Sequence, residues 1–160
     1  TGKQGDVMKE SVQCSLTAAV EYLKANHKKY NIEDFDKYYE DKFGNGFHIH
    51  CPSTSTPKDG PSAGCAFTSC FISRILGKPI KNIVGMTGEV ELNGRITKIG
   101  GLEFKLQGAK SAGVKMVYVP KENEEDLNEI KSKYKNIFTD DFNVKTFGNI
   151  SEIIDDILIF

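Results

Sequence analysis

The sequence predicts a compact single domain of the α/β (α+β) class, in which helices pack against a mixed β-sheet. Stretches with apolar residues at helical spacing alternate along the chain with short β-rich runs, which is typical of an α/β or α+β sandwich. A length of 160 residues suits one hydrophobic core. No internal repeat or low-complexity tract divides the chain, so we predict one continuous domain.

The first half of the chain is predicted to hold three helices and one short strand. Apolar residues at helical spacing define the helices, which cover about Asp6 to Lys28, Ile32 to Lys42 and Ala63 to Leu76. Gly77 ends the third helix. The segment from Phe47 to Cys51 alternates as a strand does, with His48 and His50 on the side opposite its apolar residues. A polar loop from Pro52 to Asp59 follows.

The second half is predicted to hold a hairpin, two further strands and three further helices. Asn93-Gly94 favours a tight hairpin turn between Val90 to Leu92 and Arg95 to Thr97, because both turn residues tolerate positive φ. The predicted helices cover about Gly101 to Ala112, Glu124 to Tyr134 and Ile150 to Leu158. The predicted strands cover about Val114 to Val119 and Asn143 to Thr146.

Composition and charge argue against several classes of protein. A formal net charge of −1 gives no reason to expect a nucleic acid or an anionic membrane as a partner. No apolar run approaches the roughly 20 residues that span a bilayer. Four cysteines without C-x-x-C spacing favour reduced thiols. We therefore expect an intracellular protein, in the cytoplasm or, if a leader has been removed, in an organelle matrix.

Ser62 is the first candidate for a functional residue. It lies in Gly60-Pro61-Ser62-Ala63-Gly64, which matches the G-x-S-x-G elbow of hydrolases with a nucleophilic serine. That elbow needs a histidine after the serine, whereas His27, His48 and His50 all precede it. A nucleophilic Ser62 therefore needs an upstream histidine or another kind of base. The alternative is that Ser62 only caps the helix that follows.

Lys105 is the candidate for that base. Leu102, Leu106 and Ala109 form the apolar stripe of their helix, and Lys105 lies on the same stripe. Burial favours the neutral form of a lysine amine, and a neutral amine can accept the proton of a serine. The alternative is a buried stem with the amine in solvent.

A stabilising site for a developing oxyanion is expected beside Ser62. Backbone N–H groups at the start of a helix lack intrahelical acceptors and face the positive end of the helix dipole. We therefore predict that the backbone of Gly60, Pro61 and Ala63 forms the oxyanion site.

Four ordered blocks of the sequence resemble the Lon proteases. The first, Pro57 to Gly64, looks like the active-serine signature of that family. The other three are Met86 to Val90, Ile99 to Leu102 together with Lys105, and Ala112 to Lys115. The likeness runs from Gly5 to Asn123 and continues more loosely to the C-terminus. The resemblance implies the fold of the Lon proteolytic domain.

The resemblance also implies a function. It identifies an ATP-dependent serine endopeptidase that degrades unfolded or regulatory proteins through an acyl-enzyme, with Ser62 and Lys105 as a catalytic dyad. It further implies protein or peptide substrates, a homo-hexamer and an attached ATPase module that uses ATP and Mg²⁺. This chain has no G-x-x-x-x-G-K-[ST] motif, so no cofactor is expected in it. Residues 1–160 are expected to lack the first N-terminal strands of the family's domain and the ATPase module.

Four further residues have counterparts in the family. Thr87 corresponds to a threonine whose hydroxyl lies near the lysine amine. His48 and His50 correspond to a histidine pair close to the site that does not serve as the base. Asp59 corresponds to an aspartate beside the serine that could gate the site.

Departures from the family pattern lie outside the dyad. Glu103-Phe104 replaces the usual Lys-Glu, and Lys98 stands where proline is common. We expect these changes to alter the surface or the specificity of the domain and to leave its chemistry intact.

Three alternatives remain open from the residues alone. Ser62 could act with His50 and Asp59 in a conventional triad, or the domain could be an idle scaffold for assembly. A metal site at His48, His50 and Cys51 is disfavoured, because Cys51 should point to the other side of the strand.

Overall fold

A computed structural model describes all residues, 1–160, and contains six α-helices and five β-strands. The helices are α1 (Asp6–Asn26), α2 (Phe35–Phe43), α3 (Gly64–Leu76), α4 (Leu102–Ser111), α5 (Glu124–Lys133) and α6 (Ile154–Ile157). The strands are β1 (Val84–Met86), β2 (Glu89–Val90), β3 (Ile96–Thr97), β4 (Met116–Pro120) and β5 (Asn143–Phe147). Short 3₁₀ turns cover His27–Tyr30, Lys121–Asn123 and Ile150–Glu152. None of the helices is long and apolar enough to cross a membrane.

Strand β4 is the centre of a three-stranded parallel sheet with the order β1-β4-β5. Met116 of β4 pairs with Val84 of β1 on one side and with Asn143 of β5 on the other. Strands β2 and β3 form a separate antiparallel hairpin. Parallel neighbours need long crossover connections, and here α4 and α5 lie in those connections. The predicted α/β class with a mixed set of strands is confirmed.

The three-stranded sheet lies between two hydrophobic clusters. Side chains of successive strand residues point to opposite faces, so Val117 and Val119 of β4 pack with residues of α4 and α5. Tyr118 packs on the other face, in the cluster that includes residues of α1 and α3. The fold therefore has helices on both faces of its sheet, and α3 and α4 lie in different layers.

Gly64 lets three elements approach each other closely. A Cβ at this position would lie 2.9 Å from the backbone nitrogen of Val90 and 3.3 Å from the Ser11 hydroxyl. The Gly64 carbonyl accepts a hydrogen bond from the Ser15 hydroxyl at 3.0 Å. The start of α3 is thus held directly against α1 and β2.

The predicted strand from Phe47 to Cys51 is wrong. The alternation of exposure is as expected, with His48 and His50 exposed and Phe47 half-buried. However, the segment has no partner strand. Its backbone bonds instead to two residues at the N-terminus. The Thr1 amino group and the Gln4 side chain donate to the Ile49 carbonyl, and the Cys51 N–H donates to the Thr1 carbonyl.

The ends of three other elements differ from the prediction. Helix α1 ends at Asn26 and a 3₁₀ turn follows, whereas α2 begins later than expected because the Asp34 side chain caps it by accepting the Lys37 N–H. The segment predicted as one helix from Ile150 to Leu158 divides into a 3₁₀ turn and α6. Leu158 has extended geometry and bridges to Ile80, which prevents the helix from continuing.

The hairpin and β1 show further differences. The hairpin strands are only two residues each. Glu91 closes the turn by accepting the Gly94 N–H, and Arg95 forms a bridge with Asn149 outside the hairpin. The sequence prediction did not include β1. This strand has three residues with Gly85 at its centre, so it carries almost no periodic signal.

We predict opposite effects of alanine at two helical glycines. Gly64→Ala should lower the free energy of unfolding by about 1–3 kcal/mol, because the added methyl group overpacks the contact with Val90. Gly108→Ala in α4 should raise it by about 0.5–1 kcal/mol, since no atom lies within 4 Å of its Cβ position and alanine favours the helix. Urea unfolding measures both changes, and equal effects would contradict the proposed close approach.

Candidate active site

Ser62 does not cap the helix that follows it. The N-cap of α3 is Ala63, and no side chain satisfies the first N–H groups of that helix. The backbone carbonyl of Ser62 accepts the Gly88 N–H at 2.9 Å and the Thr87 hydroxyl at 3.1 Å. The serine backbone is therefore held from the segment that follows β1, while its hydroxyl remains available.

The side chain of Lys105 meets that hydroxyl. Lys105 lies one turn into α4, and its Nζ donates a hydrogen bond to Ser62 Oγ at 3.0 Å. Leu102 and Leu106 on the same stripe are buried, and Lys105 itself is half-buried. The predicted stripe is confirmed, and its lysine points to the predicted serine from the opposite helical layer.

A cavity of about 320 Å³ lies beside the two side chains. Ser62, Thr87 and Lys105 contribute the polar part of its wall. The remaining wall is largely apolar and is formed by Ala63, Gly85, Met86, Leu106, Gly108, Ala109 and Val117. A space of this size and character can hold one apolar side chain beside the serine hydroxyl.

Thr87 is close to the site but makes a different contact from the expected one. Its hydroxyl donates to the Ser62 carbonyl, and no hydrogen bond joins it to the Lys105 amine. The reason lies in its backbone, because the Thr87 N–H donates to the carbonyl of Tyr118 and so fixes Thr87 at the end of β1. Thr87 therefore orients the backbone of the serine.

The predicted oxyanion donors need correction. Pro61 has no N–H and cannot donate, and the Gly60 N–H donates at 2.8 Å to Asp59 Oδ1. Ala63 keeps a backbone N–H that no acceptor in the protein uses, and the same is true of Ser62 itself. The Ser62 N–H lies within the stretch from Asp59 to Ala63 whose backbone the sequence indicated for this role.

Asp59 connects the serine segment to α1. Its Oδ1 accepts the N–H of Met8 at 2.8 Å as well as that of Gly60. A carboxylate near the first turn of a helix is favourably placed in the helix dipole. No hydrogen bond joins Asp59 to the side chain of Ser62 or Lys105.

The two histidines lie together but form no hydrogen bond with Ser62 or Lys105. The Thr1 hydroxyl forms hydrogen bonds with His48 Nε2 and His50 Nδ1, each at 2.9 Å. No hydrogen bond joins His50 to Ser62 or to Asp59, so the structure does not assemble the alternative triad. No group of three side chains could hold a metal ion, and the suggested site with Cys51 is therefore not formed.

The other potential nucleophile near the site is inactive by burial. Cys65 is fully buried, and this burial raises the pKa of its thiol to about 12. The thiol therefore stays protonated at neutral pH and does not compete with the serine. All four cysteines are unpaired.

Phe104, one of the departures from the family pattern, is 74% exposed on the side of α4 away from the core.

The whole chain, residues 1–160, matches a family model described as the Lon protease (S16) C-terminal proteolytic domain. The chain is 51% identical over 156 residues to a Lon protease homolog of Acanthamoeba polyphaga mimivirus, a match that covers 98% of the chain and 14% of the relative. It is 40% identical over 155 residues to the Lon protease of Desulfosudis oleivorans, covering 96% and 18%. It is 41% identical over 157 residues to that of Orientia tsutsugamushi, covering 97% and 18%. The chain thus spans less than a fifth of each of these relatives.

We predict that Thr87→Val slows the reaction of Ser62 with a serine-directed phosphonate probe by about fivefold, as expected for the loss of one hydrogen bond of about 1 kcal/mol. The matched control is Thr68→Val, because the Thr68 hydroxyl is also buried and donates to a carbonyl of α3 but does not touch Ser62. Labelling is followed by intact-mass spectrometry. Equal rates in the two variants would show that Thr87 does not orient the serine.

Proposed function

This chain belongs to the Lon protease family, and on that premise we propose that it is a serine endopeptidase domain with Ser62 as nucleophile and Lys105 as general base. The observation that supports the proposal is the 3.0 Å hydrogen bond from Lys105 Nζ to Ser62 Oγ. A nucleophile and its base must lie within about 2.6–3.2 Å of each other for direct proton transfer. No histidine shares a hydrogen bond with this serine.

The reaction proceeds in two halves. In its neutral form Lys105 takes the proton of Ser62, whose Oγ attacks the carbonyl carbon of a peptide bond. The resulting ammonium group returns the proton to the departing amine, which leaves an acyl-enzyme on Ser62. Lys105, again neutral, then takes a proton from water, and the hydroxide attacks the ester. As the ester bond to Ser62 breaks, Lys105 returns the proton that it took from water to Ser62 Oγ, which restores the serine hydroxyl.

The oxyanion of each tetrahedral intermediate is stabilised by the backbone N–H groups of Ser62 and Ala63. Both groups lack an acceptor within the protein and lie just before α3, where the helix dipole favours negative charge. The bonds from Thr87 and Gly88 to the Ser62 carbonyl keep this backbone in place before substrate arrives.

We infer that this domain works with an ATPase module that uses ATP and Mg²⁺. The family resemblance implies such a module, and the chain spans under a fifth of the length of the relatives that it matches. A homo-hexamer that degrades unfolded or regulatory proteins inside the cell is the assembly that the family resemblance implies. On the same basis, residues 1–160 form the proteolytic domain.

We predict that Ser62→Ala and Lys105→Met each reduce hydrolysis of an unfolded protein or a peptide by at least about a thousandfold, because each removes one half of the dyad. The matched control for the lysine is Lys121→Met, since Lys121 is exposed and forms no ion pair. His50→Asn should retain most of the activity. Full activity of either dyad variant rules out the mechanism, whereas loss of activity in His50→Asn supports the triad.

A serine-directed probe separates a competent site from an idle scaffold. Wild-type chain should be labelled and Ser62→Ala should not. Absence of labelling in the wild-type chain, with folding confirmed by circular dichroism, would favour a scaffold domain over a peptidase.

A further inference from the structure

Asn123 is a fully buried polar residue that lies outside the dyad. It ends the 3₁₀ turn between β4 and α5, and its side chain is 0% exposed. Its Oδ1 accepts the N–H of Ile99 at 3.0 Å, and its Nδ2 donates to the carbonyl of Ile99 at 2.9 Å. The amide therefore exchanges two hydrogen bonds with one residue, as a paired strand residue does.

The contact extends to the charged residues on either side. Asn123 Nδ2 also donates to Asp126 at 2.7 Å, and the Lys98 amine pairs with the same carboxylate at 3.0 Å. The hydrogen bond from Asn123, followed by that from Lys98, lowers the pKa of Asp126 below its ordinary value. The Glu122 carboxylate accepts the Lys98 N–H at 3.0 Å. Both residues that precede Gly100-Gly101 are thus held from the 122–126 segment.

This anchored pair directly precedes the helix that carries the base. Helix α4 begins at Leu102, has no side-chain cap, and follows Gly101, whose φ is +67°. It contains only ten residues, and helices of that length are marginal without tertiary contacts. The helix is therefore located by the packing of Leu102 and Leu106 and by the anchor at Ile99.

We propose that Asn123 is a positioning residue that sets the place of α4 and thereby the reach of Lys105 to Ser62. The proposal rests on the proposed function of Ser62 and Lys105. Asn123 touches neither the dyad nor the cavity, and it acts through the backbone of Ile99. A displacement of the base by about 1 Å can cost about a hundredfold in rate.

Asn123→Asp and Asn123→Ala test the proposal. The aspartate keeps the shape but loses both amide donors and faces Asp126, whereas the alanine leaves the backbone groups of Ile99 unpaired. Each variant should lower kcat for peptide hydrolysis by about tenfold to a hundredfold, with KM changed less than threefold, because the anchor affects proton transfer more than substrate contacts. Both should also speed amide hydrogen exchange in α4.

The matched control is Asn26→Ala. Asn26 likewise uses its side chain to hold backbone, by donating to the Tyr22 carbonyl at 2.8 Å, but it lies at the end of α1, which packs on the other face of the sheet from α4. This variant should lose stability without changing kcat or exchange in α4. All rates are measured well below the melting temperature of each variant, so that the unfolded fraction does not contribute.

The outcomes separate the two proposals. Activity that is abolished by Ser62→Ala but unchanged in both Asn123 variants overturns the positioning role and leaves the dyad intact. Activity unaffected by Ser62→Ala overturns the dyad, and exchange in α4 then still decides whether Asn123 anchors that helix. An equal loss of kcat in Asn26→Ala would show that the effect of Asn123 is one of general stability, and it would also overturn the proposal.

Discussion

The hydrogen bond between Lys105 and Ser62 is a contact between two helical layers, and this is the constraint on which the site depends. Ser62 precedes α3 on one side of the sheet, whereas Lys105 belongs to α4 on the other. The two side chains can meet only where the sheet ends. Both helices must therefore start at fixed positions relative to the same sheet, since a side-chain bond of 3.0 Å leaves little tolerance for movement.

The segment after β1 provides this common reference. Thr87 donates its backbone N–H to Tyr118 of the central strand and its hydroxyl to Ser62. Gly88 donates to Ser62 and accepts the N–H of Cys65 at 3.0 Å. A Cβ at Gly88 would approach the Ile96 side chain to 2.5 Å, so glycine at this position lets the hairpin come close to the segment after β1. Ser62 is thus attached to the sheet by backbone contacts and does not depend on a flexible loop.

The parts of the fold and of the site that could be predicted are those marked by a pattern of neighbouring residues in the sequence. Ser62 and Lys105 could be predicted because a short motif and a helical stripe mark them, and the ends of α3 followed from apolar spacing and Gly77. Strand β1 could not be predicted, because three residues around Gly85 carry no periodicity. The segment from Phe47 to Cys51 has a strand pattern, but a pattern alone does not supply a partner strand. The contacts of Thr87 and Asn123 are made with residues distant in sequence, which no local pattern reveals.

The two bonds of Asp59 Oδ1 have a mechanical consequence. They join the first turn of α1 to Gly60, and the Gly5 N–H adds a bond of 2.8 Å to the Lys58 carbonyl. The N-terminal segment is therefore joined directly to the chain that leads to Ser62. Because these bonds lie outside both hydrophobic clusters, a displacement of residues 5–8 would be passed to Gly60, two positions before Ser62, without any rearrangement of core side chains.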